Sequence, residues 1–157
     1  MKNKKNNSFT LDKFMEESLY NKKHGYYMKK NPFGESGDFI TAPNISILFS
    51  EMIAIWVISF WEKLNCPKQF NLIELGAGNG EMMKVLVHTF NKFPEFKNSC
   101  KVNILEKSKL LQRIQKVNIK NAKVKWLNNL NELNDFPCIF IANEFFDALP
   151  VKQFLKI

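Results

Sequence analysis

The chain has 157 residues, with 23 lysines plus arginines against 15 aspartates plus glutamates and a formal net charge of +8. Apolar residues make up 45% and charged residues 24%, with 6 glycines and 6 prolines, which excludes a collagen-like or wholly disordered chain. A domain of this size buries roughly 68–70% of the surface its unfolded chain exposes, enough for one core and too little for two large domains.

The N-terminal Met1–Ser8 is basic, but no apolar signal core follows it. Leu11, Phe14, Met15 and Leu19 fall at helical spacing, so a first helix is expected from about Phe9 to Leu19, with Thr10 as its N-cap. Asn21–Pro43 holds Gly25, Pro32, Gly34, Gly37 and Pro43 and reads as a long loop, a kind of segment that commonly carries function. A second helix is expected from Ile45 to Leu64, capped by Asn44 and ended by Asn65-Cys66-Pro67. Ile45, Leu48, Phe49, Met52, Ile53, Trp56 and Phe60 are assigned to its buried side. Its apolar stretch Met52–Phe60 lies between Glu51 and Glu62, far short of the ~20 residues of a membrane span, so no membrane insertion is expected.

The pattern then changes. Phe70–Leu75 is a short apolar run closing on Gly76 and reads as a buried strand. A helix over Glu81–Phe90, a strand over Val102–Leu105, a helix over Lys109–Val117, and strands over Val124–Leu127 and Cys138–Ala142 follow. Strands alternating with helices predict parallel strands joined by crossovers, an α/β fold with a Rossmann-like doubly wound sheet behind a helical N-terminal extension. The division expected is 1–67 for the extension and 68–157 for the first part of the sheet domain. Val151–Ile157 resembles a strand just beginning, so the sheet reads as C-terminally incomplete.

Glu74-Leu75-Gly76-Ala77-Gly78-Asn79-Gly80-Glu81 sits where the first strand passes into a helix. A G-x-G there turns the backbone sharply and lets a ligand lie against main chain, although an ordinary strand-to-helix turn produces the same spacing. Two details sharpen the reading. The dinucleotide fingerprint places its third small residue at position 81, where this chain has Glu81, with Gly80 one residue earlier. Glu74 also stands two residues before the first glycine, and a carboxylate repels a pyrophosphate by about 4 kcal/mol at ~4 Å with an effective dielectric near 20. The same carboxylate attracts a cation, and S-adenosylmethionine has an ammonium, a sulfonium and no phosphate. Glu106, at the end of the second strand, stands where an acid accepts the two ribose hydroxyls. Acid-x-Gly-x-Gly-x-Gly followed by such an acid is the motif expected of class I methyltransferases.

The fourth strand leads into Asn143-Glu144-Phe145-Phe146-Asp147-Ala148-Leu149-Pro150. In a doubly wound sheet this strand lies beside the first, so its carboxyl end faces the ligand crevice. Asn143, Glu144 and Asp147 are the candidate catalytic residues: the amide and carboxylates orient a nitrogen substrate, and the acids take its proton. Phe145 and Phe146 serve either as an aromatic face for the sulfonium or as plain core packing.

With these residues in view, the chain resembles the class I S-adenosylmethionine-dependent methyltransferases related to the mitochondrial respiratory complex I assembly factor that methylates arginine. Three blocks carry the resemblance over nearly all of the chain. The first is His24-Gly25-Tyr26-Tyr27, Asn31-Pro32-Phe33-Gly34 and Gly37-Asp38-Phe39-Ile40-Thr41-Ala42-Pro43; the second is Glu74–Gly80 with Glu106; the third is Asn143–Val151. The resemblance implies a cap over the cofactor, with Gly37, Asp38, Phe39 and Thr41 lining the pocket beside Glu74, Gly76, Gly78, Gly80 and Glu106. It implies S-adenosyl-L-methionine as cofactor and a protein arginine as substrate, on a respiratory complex I subunit, in the mitochondrial matrix if the source is eukaryotic. Asn44, Ser50, Ala77 and Asn79 depart from the family's usual Glu, Gly, Pro and Arg.

Other partners are less favoured. Arg113 is the only arginine and the lysines scatter, so a nucleic-acid partner, and with it an RNA methyltransferase, is not promoted by charge. Cys66, Cys100 and Cys138 have no C-x-x-C spacing and only His24 and His88 to help, so no metal site is expected and a reducing, cytoplasm-like compartment is. The competing reading is a non-catalytic cofactor-binding or assembly module.

Overall fold

The computed structural model describes residues 9–120 and 122–156. The basic Met1–Ser8 and the final Ile157 therefore lie outside the described residues. Four helices come first: α1 (Leu11–Tyr20), α2 (Tyr26–Lys29), α3 (Ala42–Ile45) and α4 (Ile47–Lys63). The sheet portion follows as β1 (Phe70–Leu75), α5 (Glu81–Phe90), α6 (Pro94–Ser99), β2 (Cys100–Leu105), α7 (Lys109–Asn118), β3 (Val124–Leu127) and β4 (Cys138–Ile141). The four strands run in the order β3-β2-β1-β4, and every neighbouring pair is parallel. The strand order reverses between β1 and its two neighbours, which opens a crevice beyond the C-terminal end of β1. This is the α/β doubly wound arrangement expected.

β1 is buried along its whole length, which is why it reads as a mainly apolar run, with Asn71 and Glu74 as its two buried polar residues. Phe70, Leu72, Ile104 and Ile139 point to the helical layer, where they meet Met82, Met83, Leu86 and Phe90 of α5 and Ala54, Val57, Ile58 and Trp61 of α4. Phe96 of α6 plugs the end of this core, its ring centroid 4.6 Å from Phe90, 5.4 Å from Phe70 and 5.5 Å from Trp61. Ile73, Leu75 and Leu127 form a smaller cluster on the other sheet face with Leu105, Leu133 and Phe145.

Four local expectations are corrected. The stripe assigned to the core on α4 is largely its outer one: Ile45, Leu48, Met52, Trp56 and Phe60 are exposed, with Phe49 and Ile53 alone of that set packed partly inward. The helix is apolar on nearly every side, and close packing against α5 selects the stripe holding the small Ser50 and Ala54. Asn44 does not cap α4; Pro43 starts the separate turn α3, where Thr41 Oγ1 donates to Asn44 Oδ1 at 3.1 Å, and Ser46 takes the cap position. Val151–Lys156 forms no strand, because no neighbouring strand pairs with it, and it is exposed. The segment read as a long loop contains α2 and α3, packed through a ring cluster of Tyr20, Tyr26, Tyr27, Phe33 and Phe39.

Candidate functional site

Glu74 is the penultimate residue of β1, hydrogen-bonded through its backbone between β2 and β4. The parallel ladder on both sides leaves its side chain 3% exposed at the crevice mouth. Its Oε2 has no hydrogen-bond partner. Burial, with a smaller contribution from the charge of Glu106, pushes its carboxyl up to about 8. A buried, unpartnered carboxyl at a crevice is a vacancy for a cation, since ionisation there is costly until a positive group arrives.

The bend that follows is built from Gly76, Gly78 and Gly80, at φ of +65°, +54° and +87°. Gly76 N–H donates to Leu105 O at 3.0 Å, tying the bend to the end of β2. A Cβ on Gly76 would lie 2.5 Å from the Phe145 ring, so the loop after β4 depends on that missing side chain. Gly80 plays a different part: it is buried, and its bare backbone lets α7 approach at Gln115 and Ile119. The Phe33 ring lies over Gly78.

Glu106 follows β2 directly and is nearly buried. Its Oε1 accepts from Ser108 N–H at 2.9 Å and its Oε2 from Gln115 Nε2 at 3.0 Å. Burial raises its carboxyl above the usual range, and these donors only partly offset that. Gln115, fully buried on α7, was not singled out from the sequence. Its Nε2 also donates to Gly78 O at 2.9 Å, while its Oε1 accepts from Trp126 Nε1 at 2.9 Å. One amide thus joins the glycine bend, the acid after β2 and strand β3. Its signal was a polar residue in the apolar stripe between Leu111 and Ile119. The contact of Phe33 with Gly78 joins distant chain segments and leaves no local trace in the sequence.

The crevice lining brings together Glu74, Gly76, Gly78, Thr41, Asn143 and Glu144, with Phe33, Pro43, Ala77 and Asn79. Gly37, Asp38, Phe39, Gly80, Glu106 and Asp147 are not part of that lining. Asp38 is exposed and bound by Tyr26 Oη and Lys30 Nζ, which hold its carboxyl below the usual range, Lys30 first. Gly37 serves the tight return of that loop, its Cα facing Pro32 O so closely that a Cβ would lie at 2.3 Å. Phe39 rests half-exposed among the rings of Tyr26 and Phe33. Asp147 lies in a 3-10 turn (Phe146–Ala148) whose Ala148 O accepts from Tyr20 Oη at 2.8 Å, and its charge is felt at Tyr20 and Tyr27. Glu144 has φ +48°, a left-handed conformation costing of order 1–3 kcal/mol in a non-glycine residue and typical of functional turns.

With Phe33 and Phe145 against the bend, the open volume is about 40 Å³, room for water but not for a nucleoside, whose sites run to roughly 300–1,000 Å³. The donor set itself suits a phosphate-free cation with hydroxyls to bind: an orphaned buried carboxyl, a glycine bend and a second acid after β2. Among the described residues no group of three or more His, Cys, Asp or Glu side chains is placed to hold a metal ion. No helix among them is long and apolar enough to cross a membrane.

Comparison with known proteins agrees with this geometry. Residues 52–156 match a family described as "Putative S-adenosyl-L-methionine-dependent methyltransferase", and the chain belongs to that family. It is 34% identical to the protein arginine methyltransferase NDUFAF7, mitochondrial, of Xenopus laevis and 32% identical to that of Homo sapiens, in both cases over 94% of this chain and 39% of the relative. A crystal structure of a COG1565 superfamily member from Burkholderia thailandensis, bound to S-adenosyl-homocysteine, superposes with a TM-score of 0.76 at 27% identity, over 90% of this chain and 38% of that one. The chain spans about two fifths of the length of these relatives.

Proposed function

We propose that the chain binds S-adenosyl-L-methionine in the crevice beyond β1 and serves the N-methylation of a protein arginine. The observation that carries this reading is Glu74, a buried carboxyl with an unpartnered oxygen beside a glycine bend. Its carboxylate takes the ammonium of the cofactor, Gly76 and Gly78 admit the ligand against main chain, and Glu106, buried behind the present lining, receives the ribose hydroxyls once the bend opens. When bound, the cofactor supplies a methyl group on a positively charged sulfur. Glu144 at the lip, beside Asn143, orients the guanidinium and accepts the proton that the nitrogen loses. Asp147 joins from the adjoining turn once the loop after β4 moves.

Residues 1–67 act as the cap over 68–157. Gly37, Asp38, Phe39 and Thr41 reach the ligand as the cap shifts Phe33 off Gly78, and Gly80 holds α7 in place. The names of the relatives support a protein arginine as the substrate and a mitochondrial setting in a eukaryote; a respiratory complex I subunit as that substrate, in the matrix or in a bacterial cytoplasm, is what the family resemblance implies. A second reading, a cofactor-binding assembly module without turnover, is favoured by the narrow crevice and by Asp147 standing outside its lining.

Incubation with methyl-labelled S-adenosyl-L-methionine and isolated complex I subunits separates the two. Enzyme function predicts label in methylarginine after hydrolysis, lost on Glu144→Gln. Cofactor binding without label transfer supports the module, and neither binding nor transfer refutes both.

A further inference from the structure

The molecule has a second recess, at the end of the sheet opposite the glycine bend. It runs around the N-terminal ends of β2 and β3 and has a volume of about 1130 Å³. Lys84 on α5, Lys97 on α6, Lys101 on β2, Lys120 and Lys123 after α7, and Lys125 on β3 all line it, and all are exposed. Val87, Val102, Ile119 and Val124 contribute an apolar floor. Among the described lining residues Glu132 is the single carboxylate, and its Oε1 accepts from the backbone of Asn128 and Asn129. Lys84 is paired with Glu81 at 3.1 Å, whereas Lys97, Lys101, Lys120 and Lys123 have no acidic partner within 4.0 Å among the described residues.

Surface lysines gathered for structure alone are normally interleaved with acids, because like charges on one concave wall repel and raise the local potential. Here the charge of Lys97, Lys101, Lys120 and Lys123 is left uncompensated, while the crevice at the opposite end of the same sheet holds Glu74 and Glu144. We propose that this recess docks an acidic segment of a protein partner, with carboxylates on the lysine rim and one or two aliphatic side chains on the floor. Nucleic acid fits less well. The lining contains no arginine, and of its two rings Phe90 is buried, which leaves His88 as the single ring with a face for base stacking. The docking surface is distinct from the cofactor crevice and holds whether or not that crevice works as argued above.

The test is fluorescence anisotropy with a short labelled peptide in which glutamates flank a pair of leucines. The wild-type chain is expected to bind it with an affinity that falls as salt rises. Lys97→Glu with Lys123→Glu should weaken binding by about tenfold or more, because two contacts become repulsive. Lys22→Glu with Lys63→Glu, the same charge change elsewhere on the surface, should alter it by about twofold or less. Equal weakening by both pairs would reduce the effect to net charge and overturn the proposal, as would displacement of the peptide by single-stranded RNA at lower concentration. Should the first pair lower the thermal midpoint, Lys101→Glu with Lys120→Glu asks the same question at other positions on the rim.

Discussion

Glu74 concentrates the logic of the crevice in one side chain. Its carboxyl is raised to about 8 against an ordinary value of 4.5, chiefly by burial and then by Glu106, itself raised by burial. The unfolded chain loses the proton near the ordinary value while the folded chain keeps it, so Glu74 lowers stability as pH climbs from about 4.5 towards 8, and Glu106, shifted in the same direction, adds to the loss. Glu74→Gln is therefore expected to raise the thermal midpoint of the unliganded protein at pH 8 and to change it little at pH 4, as differential scanning calorimetry will show. Gln115 is the complementary case. Replacing it with Leu leaves Trp126 Nε1 and Gly78 O without partners, at about 1–3 kcal/mol each if they stay buried. Chemical denaturation should show that loss, and S-adenosyl-homocysteine affinity should drop by at least about tenfold, or roughly 1.4 kcal/mol. Glu74, Gly76 and Gly78 were legible because a strand end, a bend and an acid are neighbours in the chain. Gln115 and Phe33 were not, because their partners lie far away in sequence and are brought close only by folding.

At the scale of elements, the sequence pattern located β1, α5, α7, β3 and β4 within a residue or so; β1, α5 and α7 bury a clear run or stripe, whereas β3 and β4 each bury one side chain, Leu127 and Ile139. It failed on α4, where two apolar stripes compete and side-chain size, not hydrophobicity, decides which one packs. Trp61, buried with Nε1 bonded to Pro67 O at 3.0 Å, and Trp56, 51% exposed, make the contrast measurable. Trp61→Ala is expected to cost about 3–5 kcal/mol, and Trp56→Ala about 1 kcal/mol or less, by urea denaturation. Ser50 sits on the buried stripe with its Oγ unpartnered. Ser50→Ala removes a buried hydroxyl without opening a cavity and is expected to stabilise the fold by about 1 kcal/mol, read as a raised urea midpoint at unchanged slope.

Taken whole, the molecule is polarised along its sheet. The crevice beyond the C-terminal ends of the strands is lined by Glu74, Glu81 and Glu144, and the recess around the N-terminal ends of β2 and β3 by six lysines and the single carboxylate of Glu132. Contacts from the N-terminal helical segment narrow the crevice: Tyr20 Oη donates to Ala148 O in the turn after β4, Tyr27 stacks on Phe33, and Phe33 covers Gly78. Burial pushes the Tyr20 phenol up to about 12, so it remains a neutral donor across the physiological range. Opening the crevice to a nucleoside-sized ligand requires Phe33 or Phe145 to leave the bend. The most direct measurement is calorimetric titration of the intact chain with S-adenosyl-L-methionine, wild type beside Glu74→Ala. One-to-one binding that weakens by at least about tenfold in the variant, some 1.4 kcal/mol, is the predicted result. Equal affinity in the two proteins, or no binding by the wild type, would contradict it.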